Sequence, residues 1–510
     1  MKLKSIISIA AILLVQTLVA QQQKKPNIIV IMADDIGISN LSCYGGDVMG
    51  VPTPNIDKLA QQGLKLTTFY GQPSCTAGRA AFITGQLPVR TGLTTVGIPG
   101  TDVGLKKEDP TLAEVLKSLG YNTAQFGKNH FGDLEDMLPH RHGFDEFFGN
   151  LYHLNASEDL EDKDRPTGAN FKKQFDPRGV ISGTANGPTK DEGALTSERM
   201  LTFDEEILAK TTDYIKRKSK EDKPFFVWYN PSRLHVFQHL KEEDKGKSRA
   251  SHNGEDVYGD ALIVHDREVG ELLKLLDDLK LTGNTIVIYT TDNGAYQYMW
   301  PEGGTSPYRG DKGTTWEGGV RVPCIVRWPG KVEAGRQSSE MMSLEDWFPT
   351  LAAAAGDTSI VEELKKGSTF NGKQFKVLLE GVNQTDFITG KSSSKRDFYF
   401  YYDEANLTGI RYKQFKMTFA SKRNGKWDGY LEPYGRPLLV NLLLDPYERQ
   451  TDSDITRQLS EHKGWAYAPM LGLMQKHLMS FKEFPPRQTT LSGDFTKMIE
   501  SMMQQMKSGE

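Results

Sequence analysis

The sequence predicts an α/β protein, in which helices flank a large, doubly wound and mostly parallel sheet. A smaller C-terminal α+β domain with a short antiparallel sheet is predicted to follow. Three observations indicate this fold: apolar runs typical of central parallel strands, helical stretches that alternate with them, and a change beyond residue 390 to short strands separated by turns. Because 510 residues exceed what one core usually holds, we expect an α/β domain over 21–390 and a subdomain over 391–510.

Three apolar runs are the predicted strands of the parallel sheet. They are NIIVIMADD (27–35), KPFFVWYN (223–230) and NTIVIYTTDNG (284–294). In doubly wound sheets, ligands bind beyond the carboxyl ends of the strands. We therefore expect the polar residues that end these runs to meet at one edge of the sheet.

The helices are predicted from apolar residues that recur at helical spacing. The predicted helices span 111–120, 203–218, 258–279 and 344–356. Residues 155–198 are instead polar, rich in Gly, Pro, Asp and Lys, and show little periodicity. We interpret this segment as a long surface excursion, either a lid or a partly mobile insertion.

The C-terminal region contains short apolar segments with turn signals between them. The predicted strands lie in RDFYFYY (396–402), LTGIRYKQFKMTFAS (407–421) and PLLVNLLLDP (437–446), and a helix is predicted over 470–481. This order of elements indicates the smaller α+β subdomain.

The first twenty residues resemble a secretory signal peptide. Two lysines precede an apolar stretch over 6–20, and Ala20 is the expected last residue before cleavage. An uncleaved membrane anchor is the alternative, but the stretch is short for spanning a bilayer. We expect an exported protein, periplasmic or secreted, without stable membrane insertion once the signal is cleaved.

Charge and cysteine content restrict the partners and the chemistry. The chain has 62 Lys and Arg against 66 Asp and Glu, a formal net charge of −4, so we expect no nucleic-acid partner. Cys43, Cys75 and Cys324 cannot all pair within one chain. Cys75 lies at the start of a helix-like stretch, one turn before Arg79. It could be a packed thiol, a thiolate nucleophile, half of a disulfide or the precursor of a modified residue.

Three carboxylates are predicted to meet at the edge of the sheet. Asp34 and Asp35 end the first apolar run, and Asp292 and Asn293 end the third. Carboxylates this close raise one another's pKa unless a cation compensates them, and an all-oxygen ligand set favours Ca²⁺ over Mg²⁺. Strand-ending turns are the alternative for each pair alone, but two such pairs after apolar strands favour a metal site.

Basic side chains in several segments could complete an anion site. They are Arg79, Lys128, His130, His235 and Lys312. Each could alone be a solvated surface charge or a loop histidine. Together with three carboxylates and a divalent ion they give a net positive site, which suits a tetrahedral oxyanion such as a sulfate or phosphate ester.

The segments that contain these acidic and basic residues resemble the type I sulfatases of the alkaline-phosphatase superfamily, in the same order and over most of the chain. CTAGR (75–79) is similar to the Cys-x-Pro-x-Arg signature of that family, whose cysteine is oxidised after synthesis to Cα-formylglycine. IVIMADDIG, CYGG, FGKNH, TTDNG and DKGTTWEGGVRVP occur in the family's order. Ala77 stands where the signature usually has proline, and alanine is a tolerated variant.

The resemblance implies a role for each of these residues. The implied Ca²⁺ ligands are Asp34, Asp35, Cys75, Asp292 and Asn293. The implied catalytic residues are Cys75, Arg79, Lys128, His130, His235 and Lys312. Cys75 would be converted by a formylglycine-generating maturation enzyme. His239 lies four residues after His235 and could be confused with it.

The implied residues differ in what they would contact. Arg79 would hold the modified residue, and Lys128 and Lys312 would bind sulfate oxygens. His130 would contact the hydrated aldehyde, and His235 would lie near the ester oxygen.

The hydrated aldehyde has two hydroxyl groups on one carbon. One would attack sulfur while His235 or Lys312 protonates the departing oxygen. Deprotonation of the other by His130 would restore the aldehyde and expel sulfate, so water never has to attack sulfur. A helix beginning near residue 76 would direct its N-terminal amides at this centre.

The sequence therefore predicts an exported sulfuric ester hydrolase that acts on a sulfated small molecule or glycan, either an aryl or a carbohydrate sulfate. Two alternatives remain open. One is a phosphonate monoester or phosphodiester hydrolase of the same superfamily, and the other is a non-catalytic sulfate-binding protein with unmodified Cys75.

Overall fold

The computed structural model describes residues 24–45, 48–249, 257–299 and 306–490. The predicted signal peptide, residues 1–20, lies outside these residues. No helix within them is long and apolar enough to cross a membrane.

A large mixed sheet forms the centre of the molecule. Its eleven strands within the described residues are β1 (Asn27–Ala33), β2 (Leu64–Tyr70), β3 (Asn122–Gly127), β4 (Glu146–Gly149), β5 (Ile181–Thr184), β6 (Lys190–Asp191), β7 (Phe225–Asn230), β8 (Thr285–Thr291), β9 (Arg321–Arg327), β10 (Arg336–Ser338) and β11 (Met342–Ser343). The order is β10-β2-β9-β8-β1-β7-β3-β4-β5-β6, and β11 also pairs with β2. The five neighbours from β8 to β4 are parallel, as the predicted fold class requires.

The pairing of β1 with β8 brings two polar strand ends together. Asn27 lies beside Thr285, and the register continues without a shift to Ala33 beside Thr291. The residues that follow the two strands therefore leave the sheet side by side, as the sequence predicts.

Helices cover both faces of the sheet. The α-helices of the described residues are α1 (Ser42–Gly45), α2 (Pro54–Gln61), α3 (Cys75–Thr84), α4 (Pro88–Thr91), α5 (Leu112–Ser118), α6 (Leu154–Glu158), α7 (Ala169–Phe175), α8 (Ser197–Met200), α9 (Phe203–Lys218), α10 (Val257–Asp278), α11 (Glu317–Val320), α12 (Trp347–Ala354), α13 (Ile360–Lys366), α14 (Thr385–Ile388), α15 (Asp454–His462) and α16 (Tyr467–Ser480). The predicted helices correspond to α5, α9, α10, α12 and α16.

Alternate residues of β1 divide the core into two layers, because successive side chains of a strand point to opposite faces. Ile28, Val30 and Met32 pack with residues of α3, α5, α12 and α13 on one face. Ile29 and Ile31 pack with residues of α2, α9 and α10 on the other. Both faces of the central strands are apolar for this reason, which explains the uninterrupted hydrophobic runs in the sequence.

The segment 155–198 differs from the predicted surface excursion. It contributes β5 and β6, which continue the large sheet in antiparallel pairing beyond β4, and it contains α7. The prediction missed these strands because each is only two to four residues long, too short for periodicity to be visible.

A smaller sheet follows near the C-terminus. Its strands β14 (Phe398–Asp403), β15 (Asn406–Tyr412), β16 (Phe415–Lys422) and β17 (Leu431–Asn441) form an antiparallel meander, and α16 packs against it. A separate hairpin, β12 (Ser368–Phe370) and β13 (Lys373–Phe375), precedes it. The predicted antiparallel C-terminal sheet is thus present.

Candidate active site

The polar ends of β1 and β8 form a buried acidic cluster. Asp34, Asp35, Asp292 and Asn293 are at most 1% exposed. The amide Nδ2 of Asn293 donates to Oδ1 of Asp35 over 2.7 Å, and its backbone N–H donates to Oδ1 of Asp292 over 3.0 Å. Asp35 has a positive φ of 56°, a conformation that aspartate tolerates better than most residues. The prediction that these residues meet is confirmed geometrically.

Helix α3 presents Cys75 to this cluster. Ser74 before it is extended, and Gly85 ends the helix in the left-handed conformation, as helix C-termini commonly do. Gly78 permits close packing, because a Cβ there would lie 2.1 Å from the carbonyl oxygen of Asp292. The ligating atoms of Cys75, Asp34 and Asp35 all lie within 4.8 Å of one another.

Arg79 connects α3 to both acidic strand ends. Its Nη2 lies 2.8 Å from Oδ2 of Asp292 and 3.7 Å from Oδ1 of Asp34. Its Nη1 donates to the carbonyl oxygen of Lys128 over 3.2 Å. The side chain is fully buried, so these carboxylates are its charge partners rather than solvent.

Two lysines complete a one-to-one pairing of opposite charges. Lys128, directly after β3, places its Nζ 2.5 Å from Oδ2 of Asp34. Lys312 places its Nζ 2.7 Å from Asp35. With Arg79 on Asp292, each carboxylate of the cluster has its own cation.

The histidines differ in position. His235 lies 3.7 Å from Oδ2 of Asp35 through its Nε2, and both ring nitrogens of buried His130 lack a hydrogen-bond partner. His239 instead pairs with Glu158 over 2.9 Å. The ring of His130 lies 5.6 Å from that of His153, which in turn stacks on His235, and the charges of Lys128 and Asp34 act on the pKa of His130. The structure therefore brings His130 and His235 to the cluster and leaves His239 outside it.

The electrostatics indicate that the carboxylates need more positive charge. Burial raises the pKa of Asp35 against the charge of Lys312, and it raises the pKa of Asp292 to about 6 against that of Arg79. Burial would raise the pKa of Asp34 too, but Lys128 and other nearby cations hold it well below its usual range. Two of three carboxyls are thus shifted toward protonation, which a cation would reverse.

The donor set fits a hard cation. Oδ1 of Asn293 is buried without a hydrogen-bond partner, and Oδ1 of Asp34 and Oδ2 of Asp292 have no partner besides their ion pairs with Arg79. Buried oxygens of this kind are rarely left without partners. Three carboxylates and one amide oxygen are ligands typical of Ca²⁺.

Burial also limits the chemistry of the cysteine and the histidines. It raises the pKa of the Cys75 thiol, so the thiol is not activated as a thiolate. Burial, with the charge of Lys128, holds the pKa of His130 well below the usual value, and burial with the charges of Lys312 and Lys128 does the same for the pKa of His235. Both imidazoles are therefore neutral near pH 7. All three cysteines are free thiols, which removes the disulfide alternative for Cys75.

A cavity of about 960 Å³ opens at the site, with Lys312 and His235 in its wall. Among the other lining residues, His153, Tyr296 and Trp427 were missed by sequence reasoning. The ring of His153 stacks on that of His235 at 5.2 Å. His153 follows β4, and recognising that short strand would have pointed to it.

Comparison with known proteins identifies the family of the chain. The family model described as Sulfatase matches residues 26–357. The chain belongs to the sulfatase family. It is 33% identical over 457 residues to human (Homo sapiens) arylsulfatase A, covering 83% of each chain. It is 32% identical over 505 residues to the steryl-sulfatase of Mus musculus, covering 84% of this chain and 78% of the relative.

Among solved structures, this sulfatase is similar to the PsFucS1 sulfatase from Pseudoalteromonas sp. The two share a TM-score of 0.81 and 31% identity, over 93% of this chain and 94% of the other. The predicted alkaline-phosphatase-like architecture and the predicted enzyme class, a sulfuric ester hydrolase, are confirmed.

Proposed function

We propose that this sulfatase hydrolyses an aryl or carbohydrate sulfate ester through a Cα-formylglycine derived from Cys75, with Ca²⁺ as its metal, and that it acts after export. The observation that carries the proposal is the position of Cys75. Its buried side chain lies beside three carboxylates, at the first residue of α3. A thiol that is not ionised cannot act as the nucleophile in that position, which supports a role for Cys75 as the precursor of formylglycine.

The metal would be held by Asp34, Asp35, Asp292 and Asn293, together with the residue derived from Cys75. Bound there, Ca²⁺ would supply positive charge that favours an ionised hydroxyl group and the sulfate oxygens. The oxygens of this set that lack hydrogen-bond partners support the assignment.

The basic residues would bind and orient the sulfate group. Lys128 and Lys312 place their side-chain donors beside Asp34 and Asp35 and would bind sulfate oxygens. Arg79 would fix the first turn of α3, because it joins Asp292 to the carbonyl of Lys128.

The proton transfers would involve the side chains nearest the cavity. The formylglycine hydrate provides two hydroxyl groups. The first is ionised before it attacks, and its proton passes to solvent. As it forms its bond to sulfur, the ester S–O bond breaks, and the leaving oxygen takes a proton from the ammonium group of Lys312 rather than from His235, whose imidazole is neutral. The second hydroxyl then gives its proton to His130, the C=O bond is restored and sulfate leaves. His130 suits this step because it is neutral and both its ring nitrogens are without partners.

Mass spectrometry of a tryptic digest tests the central step. The peptide of residues 66–79 contains Cys75, and the peptide of residues 322–327 contains Cys324 as an internal control. We expect formylglycine only in the first peptide when the protein is made in a host with the maturation enzyme. Unmodified cysteine in an active preparation would overturn the mechanism.

Two further measurements test the substrate class and export. We expect turnover of 4-nitrophenyl sulfate to exceed that of a phenyl phosphonate monoester, and Cys75→Ala to abolish it. Preference for the phosphonate by orders of magnitude would favour the alternative function, hydrolysis of phosphonate esters.

N-terminal sequencing of the exported protein tests signal cleavage. We expect the mature chain to begin at Gln21, and retention of residues 1–20 would refute cleavage.

A further inference from the structure

Two aromatic side chains flank Lys312 at the cavity. Tyr296 lies in the segment after β8, and Trp427 lies between β16 and β17 of the small sheet. Nζ of Lys312 is 5.3 Å from the ring centroid of Tyr296 and 5.2 Å from that of Trp427. The two rings are 5.8 Å apart at an angle of 55°. Both line the cavity and both are only half-buried, so part of each ring is open to a ligand.

The position of Trp427 is fixed by the loop that carries Lys312. A Cβ on Gly313 would lie 2.4 Å from Cγ of Trp427, so the indole packs directly on that glycine. Lys422 donates to the carbonyl oxygens of both Gly313, over 3.0 Å, and Trp427, over 2.9 Å. The ring is therefore preorganised beside the sulfate-binding lysine, which lowers the entropic cost of binding.

A role in positioning Lys312 does not explain why both Tyr296 and Trp427 lie beside it. Lys312 is already fixed by its ion pair with Asp35 at 2.7 Å and by a backbone hydrogen bond to Ala295 at 2.8 Å. Tyr296 also stacks on Tyr298 at 5.7 Å, and Tyr298 is 69% exposed. The aromatic surface thus extends outward from Lys312 along the cavity, further than a contact to the ammonium group requires.

The rim of the same cavity carries hydrogen-bonding groups. Asp311 lines it, is only 3% exposed and has an Oδ1 without a hydrogen-bond partner. Asn155, Gln297 and Asp428 line it as well. An apolar ligand such as a sterol would strip Asn155, Gln297 and Asp428 of water and leave Oδ1 of Asp311 without a donor, which is costly. A ligand with hydroxyl groups would satisfy them.

We propose that Tyr296 and Trp427 bind the sugar ring of a pyranose sulfate, with the C–H face of the ring against the indole and its hydroxyl groups toward Asp311. This assignment rests on the proposed sulfate ester hydrolysis and names its substrate class. The negative face of an aromatic ring attracts polarised C–H groups, and the carboxylates accept from hydroxyl groups. The cavity volume lies within the range of sites for drug-sized ligands, roughly 300–1,000 Å³, so it admits such a ring.

Kinetics on two classes of substrate test the assignment. The substrates are 4-nitrophenyl sulfate and a panel of galactose, fucose, glucosamine and N-acetylgalactosamine monosulfates. We expect Trp427→Ala to lower kcat/KM for the accepted sugar sulfate at least about tenfold more than for 4-nitrophenyl sulfate, with Trp427→Phe in between. Tyr430→Ala is the matched control, because Tyr430 belongs to the same loop, is 88% exposed and does not line the cavity.

Equal losses on both substrates would overturn the proposal. Trp427 would then either position Lys312 or contact the aryl ring of 4-nitrophenyl sulfate as strongly as a sugar ring. Acceptance of none of the sugar sulfates by a wild type that hydrolyses 4-nitrophenyl sulfate would overturn it as well.

Binding measured without turnover separates this proposal from the proposed activity. Saturation-transfer NMR uses methyl glycosides of the same four sugars, without sulfate. We expect signals on the C–H protons of at least one glycoside with the wild type and with Tyr430→Ala, and their loss with Trp427→Ala. Such binding by a protein without sulfatase activity would support the sugar site while refuting the activity. Active enzyme that binds none of the glycosides would refute the sugar site alone.

Discussion

Replacing Lys416 with methionine should destabilise the protein by about 3–5 kcal/mol, the usual cost of leaving a buried charge without its partner. Lys416 lies on β16 and is 1% exposed. Its Nζ is 2.8 Å from Oε1 of Glu448 and 3.5 Å from Oε1 of Glu317. Glu317 keeps hydrogen bonds from Tyr70 and Tyr401, whereas Oε1 of Glu448 has no hydrogen-bond partner. The cost therefore comes mainly from one carboxylate, that of Glu448.

The loss should depend on pH in a defined direction. Burial raises the pKa of Glu448 above its ordinary value of 4.5, and Lys416 opposes this shift. Without Lys416 the folded-state pKa rises further, so the folded protein binds that proton more tightly than the unfolded chain does. Stability of the variant then falls as pH rises from 4.5 through the folded-state pKa. We expect a larger loss at pH 8 than at pH 5, measured by urea unfolding.

The double variant Lys416→Met, Glu448→Gln provides the matched control. Glutamine keeps the acceptor for the backbone N–H of Glu317, which Glu448 now binds over 2.7 Å, but carries no charge. It should recover most of the stability lost in the single variant. A loss below about 1 kcal/mol at pH 8, or one that does not change with pH, would show that Lys416 does not compensate a buried charge.

Three other changes are predicted. Gly78→Ala forces the backbone of Asp292 to move and should lower kcat/KM for 4-nitrophenyl sulfate about a hundredfold; a loss of less than threefold would contradict this. Chelation by EGTA should abolish turnover, and Ca²⁺ should restore it more fully than Mg²⁺; full activity in protein shown to be metal-free would contradict the metal assignment. Burial raises the pKa of Glu268 to about 8, against the charge of Arg233. The wild type should therefore lose stability as pH rises from 4.5 to 8, whereas Glu268→Gln has no proton to lose there. The stability of the variant relative to wild type should rise over this range by at most about 1.4 kcal/mol per pH unit, and urea midpoints that change equally with pH in both proteins would refute this.

The parts of the fold that the sequence predicted are those in which one local pattern is enough. β1, β7 and β8 are buried on both faces, so each appears as an uninterrupted apolar run. β4 has four residues and β6 has two, and their pairing depends on neighbouring strands rather than on their own composition. The domain boundary near residue 390 stays a prediction.

The residues of the site also divide into those that a local sequence pattern predicts and those that it does not. Asp34 and Asp292 could be predicted to meet because they end strands of one parallel sheet. Trp427 carries no local signal, since it reaches the cavity only through the packing of the small sheet on the loop of Lys312. Residues that act through contact between distant segments are invisible to spacing and periodicity.

The pairing of charges suggests how the site accepts its substrate. Lys128 and Lys312 now lie on Asp34 and Asp35, at 2.5 and 2.7 Å. A bound cation and the ammonium groups of the two lysines would compete for the same carboxylate oxygens, so Asp34 and Asp35 cannot bind both equally well. Once Asp34 and Asp35 bind a cation, the two lysines would exchange carboxylate for sulfate oxygens, and the negative charge of the ester would offset part of the charge that the cation adds. Metal and substrate should therefore bind with positive cooperativity, since each compensates the charges that the other leaves unpaired.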